Sequence, residues 1–131
     1  MKFSRSRFIS SLSLALILSS AIVSRPVRAK SMAVTDFSVA VAKHKSGDYN
    51  EAVCRFTQIL KANPQDVGAL RYRATSYARL GKAQLAIADL EKTIAIEDVD
   101  SWTFSTYGHM LESLGKYEDA ILAYRKAIEL G

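Results

Sequence analysis

The chain has 131 residues, 49% hydrophobic and 24% charged, with only two prolines. That is the composition of a globular chain long enough for one compact domain, and it excludes a disordered polymer. Its net charge of +5 would suit a polyanion-binding protein, but Lys2, Arg5, Arg7, Arg25 and Arg28 all lie in residues 1–29, a stretch without an acidic residue. Residues 30–131 carry 13 basic and 13 acidic side chains. They have no electrostatic footprint for nucleic acid, and none is expected as a partner.

Residues 1–29 have the three parts of a secretory signal. Lys2, Arg5 and Arg7 form a basic start, Phe8 to Val23 an apolar stretch, and Val27-Arg28-Ala29 a small-residue cleavage pattern. Cleavage is expected after Ala29, with Ala21 and Ala33 as alternatives. The apolar stretch is 16 residues long with five serines, shorter than the roughly 20 residues a spanning helix needs. An uncleaved signal-anchor and an organellar transit peptide are the competing readings. Ser6 separates Arg5 from Arg7, so no twin-arginine pair exists. The expected location is therefore outside the cytoplasm: periplasmic if the source is bacterial, or secreted. Membrane attachment would follow only from an uncleaved leader. Cys54 is the single cysteine, so the chain can form no internal disulfide. It also lies too far from the apolar stretch to be a lipidated cleavage-site cysteine.

Beyond the leader the sequence repeats. Gly47, Gly81 and Gly115 are 34 residues apart, as are Ala52, Ala86 and Ala120, and Phe56, Leu90 and Tyr124. Ala40, Ala74 and Gly108 form a fourth set at the same period. Four positions agreeing on one period mark tandem units of about 33–66, 67–100 and 101–131. Each unit reads as two helices around a glycine. Asp36 to Ser46 is expected to be helical, Gly47 to break the helix, and Asp48 to start the next. Asp48 and Glu51 are spaced as a reciprocal capping box. Pro64 closes the second helix. In the third unit Ala120, Ile121, Tyr124, Ala127 and Ile128 recur at helical spacing. The small residues let two helices cross closely, and the large residue four positions after the second alanine fills the space to the next helix.

Gly47-Asp48-Tyr49-Asn50-Glu51-Ala52 with Phe56 and Pro64 resembles the turn and second helix of a tetratricopeptide repeat, as does Gly115-Lys116-Tyr117-Glu118-Asp119-Ala120 with Tyr124 and Ala127. The resemblance covers residues 33–131 and implies an all-α, right-handed α-solenoid of three helix–turn–helix hairpins that binds protein or peptide. Departures are Asp36, Lys43 and Arg73 at packing positions, Thr93 at a small-residue position, and Asp98 where Pro64 would recur.

The family's concave face, lined by the first helix of each unit, maps onto Phe37, Val41, His44 and Lys45, then Arg71, Tyr72, Thr75 and Arg79, then Trp102, Ser105, Thr106, His109 and Glu112. Arg71 and Arg79 beside Tyr72 and Trp102 are the expected anchors, since arginine and aromatic side chains dominate interface energetics. A peptide carrying an acidic group would suit them. The alternative is that these are solvated arginines beside a partly buried tryptophan. The Lys/Asn/Arg clamp by which one subclass of the family holds a chaperone's terminal carboxylate is not matched. Phe37 and Val41 occupy its unit-one positions and Tyr72 replaces its asparagine.

No constellation suggests catalysis, and an enzyme is not expected. His44 and His109 lie two units apart, and no cluster has metal-ligand spacing, so neither metal nor cofactor is expected. Cys54 is expected to be a small packing residue within a helix. Glu118, Asp119, Asp98 and Asp100 fall at helix starts or turns, where they favour the helix dipole. The expected function is an exported adaptor that helps assemble an envelope or membrane complex. The alternative is a membrane-anchored structural or regulatory subunit. Arrays of this family usually end in an extra polar helix. None follows Leu130-Gly131 here, so Ile121, Tyr124 and Ile128 are expected to lack a neighbour and to favour self-association or a stable partner.

Overall fold

Three left-handed glycines set the course of the chain. Gly47, Gly81 and Gly115 have φ of 85°, 72° and 74°, a region that a β-carbon makes costly. At each of them the same hydrogen bond closes the preceding helix: Asp48 to the Lys43 carbonyl at 3.0 Å, Lys82 to Tyr77 at 2.9 Å and Lys116 to Leu111 at 2.9 Å. This pattern satisfies carbonyls that would otherwise be orphaned at a helix end. A computed structural model describes residues 35–96 and 100–131. The helices are α1 (35–45), α2 (Tyr49–Ala62), α3 (Val67–Arg79), α4 (Ala83–Ile96), α5 (Ser101–Ser113) and α6 (Tyr117–Leu130), with no strand among the described residues. The leader read over 1–29 and Asp98 lie outside the described residues, as does Ala33. No described helix is long and apolar enough to cross a membrane.

The glycine turn also corrects the expected capping box at α2. Asp48 does accept a bond from the Glu51 amide, at 3.4 Å. Its own amide, however, is taken by the Lys43 carbonyl, so Glu51 has nothing to cap in return and pairs with Arg55 at 2.8 Å. The links between units use aspartate caps instead. Asp66 accepts from the Ala69 amide at 2.9 Å and Asp100 from the Thr103 amide at 3.0 Å.

Each hairpin closes on small residues. Ala40, Ala52, Ala74 and Ala86 are fully buried, and Phe56 and Leu90 are buried against them. In unit three the equivalent crossing has Gly108, where a β-carbon would come within 2.9 Å of the Tyr124 ring. Neighbouring units are joined by the aromatic set Phe37, Phe56 and Tyr72, in which Tyr72 of α3 stacks on Phe56 of α2 at 5.5 Å. Cys54 is exposed, contrary to the packing role expected of it. With Ala52, Phe56, Ile59 and Leu60 turned inward, position 54 falls about 200° around the helix from Ala52.

Two polar ties cross the core. The Arg73 guanidinium meets Asp89 through Nε at 2.7 Å and Nη2 at 2.6 Å, and donates to Thr57 at 3.1 Å. Arg73, which departs from the repeat pattern, thus binds helices α2, α3 and α4 together. The Asp89 side chain is 3% exposed. Thr93 also departs from the pattern; it is buried and donates to the Asp89 carbonyl at 2.9 Å. The second tie joins His44 Nδ1 to Ser76 Oγ at 2.9 Å. Ser76 spends its proton on the Tyr72 carbonyl, so His44 must donate, and its Nε2 is the unprotonated nitrogen. Burial, and then the nearby Arg79 charge, push the His44 pKa below its ordinary value.

Two outcomes follow for stability. Asp89→Ala leaves Arg73 charged and unpaired and should cost about 3 kcal/mol or more in denaturant unfolding, whereas Arg73→Met with Asp89→Leu should recover most of the loss. Because His44 binds its proton more weakly when folded, its contribution is complete above about pH 6.5 and declines as pH falls from there through the folded-state pKa. His44→Gln should flatten the fall in unfolding free energy over that window.

Candidate functional site

The first helices of all three units meet at one cavity of about 470 Å³, lined by His44 of α1, Gly68, Arg71, Tyr72 and Thr75 of α3, and Trp102 of α5. Each residue is placed by a local device. His44 is held between Tyr49 and Tyr72 by edge-on ring contacts at 5.4 and 5.5 Å and by its bond to Ser76. Gly68 sits against Phe37, whose ring would lie 3.1 Å from a β-carbon there. Thr75 Oγ1 bonds the Arg71 carbonyl at 2.9 Å, which leaves its methyl group available to the cavity wall.

The centre of the site is Arg71. Its guanidinium makes an ion pair with both oxygens of Asp100, donates to Thr103 Oγ1 at 3.0 Å, and lies 4.8 Å from the centroid of the Trp102 ring. Asp100 also caps α5 and accepts from Thr103 Oγ1 at 2.8 Å. The Arg71 hydrogen bond, reinforced by Thr103, holds the Asp100 carboxyl below its usual pKa range. Trp102 remains 43% exposed, supported from one side by the cation.

Five residues expected to share the concave face therefore come together: His44, Arg71, Tyr72, Thr75 and Trp102. The other eight, Lys45, Ser105 and Glu112 among them, do not line this cavity. Phe37 and Val41 pack against the first core cluster. Arg79 is exposed near His44. Thr106 bonds back to the Trp102 carbonyl at 2.9 Å, and exposed His109 lies 3.9 Å from Glu112. Within the cavity Arg71 is paired with Asp100, and burial and the charge of exposed Arg79 both disfavour the protonated form of His44. Gly68 and Asp100 were missed as site residues. The 34-residue spacing of Asp66 and Asp100 marks both as caps, but nothing in it shows that Asp100 reaches Arg71.

Comparison with known proteins agrees with this architecture. Family models described as tetratricopeptide repeat match residues 40–99 and 104–130, together well over half of the chain. The chain is 29% identical over 83 residues to the small glutamine-rich tetratricopeptide repeat-containing protein 2 of Mycosarcoma maydis, covering 63% of this chain and 24% of that protein. It is 31% identical over 85 residues to Hsp70-Hsp90 organizing protein 2 of Arabidopsis thaliana, covering 65% of this chain and 15% of that one. It thus spans a quarter or less of the length of these relatives. The first TPR of Spaghetti (RPAP3), solved bound to the HSP90 peptide SRMEEVD, superposes with a TM-score of 0.71 at 28% identity over 75% of this chain and 78% of that one. With its 34-residue period, its three glycine-turned hairpins and these matches, the chain belongs to the tetratricopeptide repeat family, a protein-interaction fold.

Proposed function

We propose that this chain is an exported adaptor that holds a partner peptide in the groove formed by α1, α3 and α5, in the assembly of an envelope or membrane complex. The observation that carries the binding reading is the cavity built from all three units, with a tryptophan exposed at its wall. Trp102, Tyr72 and the methyl group of Thr75 suit an apolar or aromatic side chain of the partner. Unprotonated Nε2 of His44 suits a neighbouring hydrogen-bond donor. Arg71, committed to Asp100, is not free to clamp a terminal carboxylate. The export reading is supported by the acid-free, basic-then-apolar leader that ends in Val27-Arg28-Ala29.

Trp102 is the only tryptophan, so its emission reports the groove directly. Titration with peptides bearing an aromatic or leucine anchor should shift Trp102 emission to shorter wavelength, and Tyr72→Ala should weaken that binding by about tenfold or more. The peptide SRMEEVD should bind at least about tenfold more weakly than the best apolar peptide. Tight SRMEEVD binding, or apolar peptides that bind without changing Trp102 emission, would count against the groove chemistry. Export is tested separately by mass spectrometry of the protein recovered from its source cells, where a mature N-terminus at or near Lys30 is expected.

A further inference from the structure

We infer that a second cavity, walled by α2, α3 and α4 rather than by the three groove helices, is a binding site for a phosphate group. Its volume is about 180 Å³, roughly that of six waters and enough for a tetrahedral oxyanion. Its cations are Lys61, Arg73 and Lys92, and its apolar wall is Leu60, Pro64 and Leu70.

Arg73 is the fixed part of the site. An arginine side chain has five N–H donors. Asp89 takes Nε–H and one of the two on Nη2, and Thr57 takes one of the two on Nη1. One N–H on each terminal nitrogen is therefore left without an acceptor among the described residues. The guanidinium has little freedom to turn elsewhere. Its side chain is 13% exposed and that of Asp89 3%. Thr57 is committed as well, since it donates to the Val53 carbonyl at 2.7 Å. It holds the guanidinium in place rather than a ligand.

Charge selects the ligand. Asp89 balances Arg73, so the uncompensated charges are those of Lys61 and Lys92. Both lysines are exposed, and neither has an ion-pair partner among the described residues. Glu91, beside Lys92 in sequence, accepts from the Tyr107 hydroxyl at 3.0 Å instead. Two unpaired ammonium groups next to a fixed guanidinium suit a phosphate dianion better than a singly charged carboxylate. Buried Leu60 and Leu70 form a wall of low polarity that strengthens these interactions. The repeat scaffold does not itself need the trio. At the equivalent joint 34 residues on, Ala95, Tyr107 and Lys126 take its places.

The test is a titration of the full 131-residue chain with inorganic phosphate, followed by amide NMR shifts against sodium chloride at matched ionic strength. Saturating shifts are expected at Thr57, Lys61, Arg73 and Lys92, and none at Lys43, Lys45 or Lys82. Lys92→Ala, at an exposed position that the fold should tolerate, should weaken binding by about fivefold or more. Arg73→Met with Asp89→Leu keeps the net charge of the pocket but removes its fixed donors, and should weaken binding by about tenfold. Acetate should bind at least about tenfold more weakly than phosphate. Phenyl phosphate distinguishes the sources: tighter binding than phosphate identifies an ester whose organic part lies on the apolar wall, and equal or weaker binding identifies the free ion. Shifts that never saturate, or that spread alike over all the lysines as for an adventitious ion only, would overturn the proposal. So would binding indifferent to Lys92→Ala or to the double substitution, or acetate that binds as well as phosphate.

Discussion

A two-helix hairpin has more apolar surface than it can fold onto itself, and this shortage of partners dictates the rest of the molecule. Within a hairpin, Ala40 against Ala52 or Ala74 against Ala86 lets the helices touch, and Phe56 or Leu90 is then left facing outward. Only the next unit can cover it. Tyr72 does so by stacking on Phe56, and burying an aromatic pair of this size contributes on the order of a few kcal/mol at that junction. The stability of such an array is a sum over neighbours, so among the described residues a face with no neighbour against it is the weakest. The contrast between buried Leu60 and exposed Ile128 is that principle expressed in two side chains.

The same stacking builds the site. Because successive first helices lie side by side, residues far apart in sequence converge: His44, Tyr72 and Trp102 line one cavity. Asp100 serves both purposes, since the carboxylate that starts α5 also captures Arg71, and Arg71 supports Trp102. The cap, the joint between units two and three, and the wall of the groove are therefore one set of bonds. A change at Asp100 would disturb all three together, which makes it a poor probe of binding, whereas Trp102 emission reads the groove without altering it.

The fold was legible because its determinants are periodic. Gly47, Gly81 and Gly115 declare three turns, and the alanine and aromatic sets declare which faces close. The groove was legible in outline for a related reason, since its residues occupy equivalent places in successive units. What could not be read was pairing between residues with no common period. Arg73 departs from the repeat pattern, and its partner Asp89, 16 residues on in another helix, has nothing in its local sequence to advertise the bond. The pairing of Arg71 with Asp100 was hidden likewise, because the spacing of Asp100 identifies only a cap. Cys54 was placed inward on its residue type, although the helical phase set by Ala52 and Phe56 points it outward.

Amide hydrogen exchange, resolved helix by helix on the monomer at low concentration, tests the dependence of each unit on its neighbour most directly. If stacking sustains the array, the central amides of α2, α3 and α4 should open only at the highest free energies, and those of α6 at clearly lower ones. Protection of α6 equal to or greater than that of α3 would contradict the account, because a helix whose outward face is uncovered would then owe its stability to something other than a neighbour.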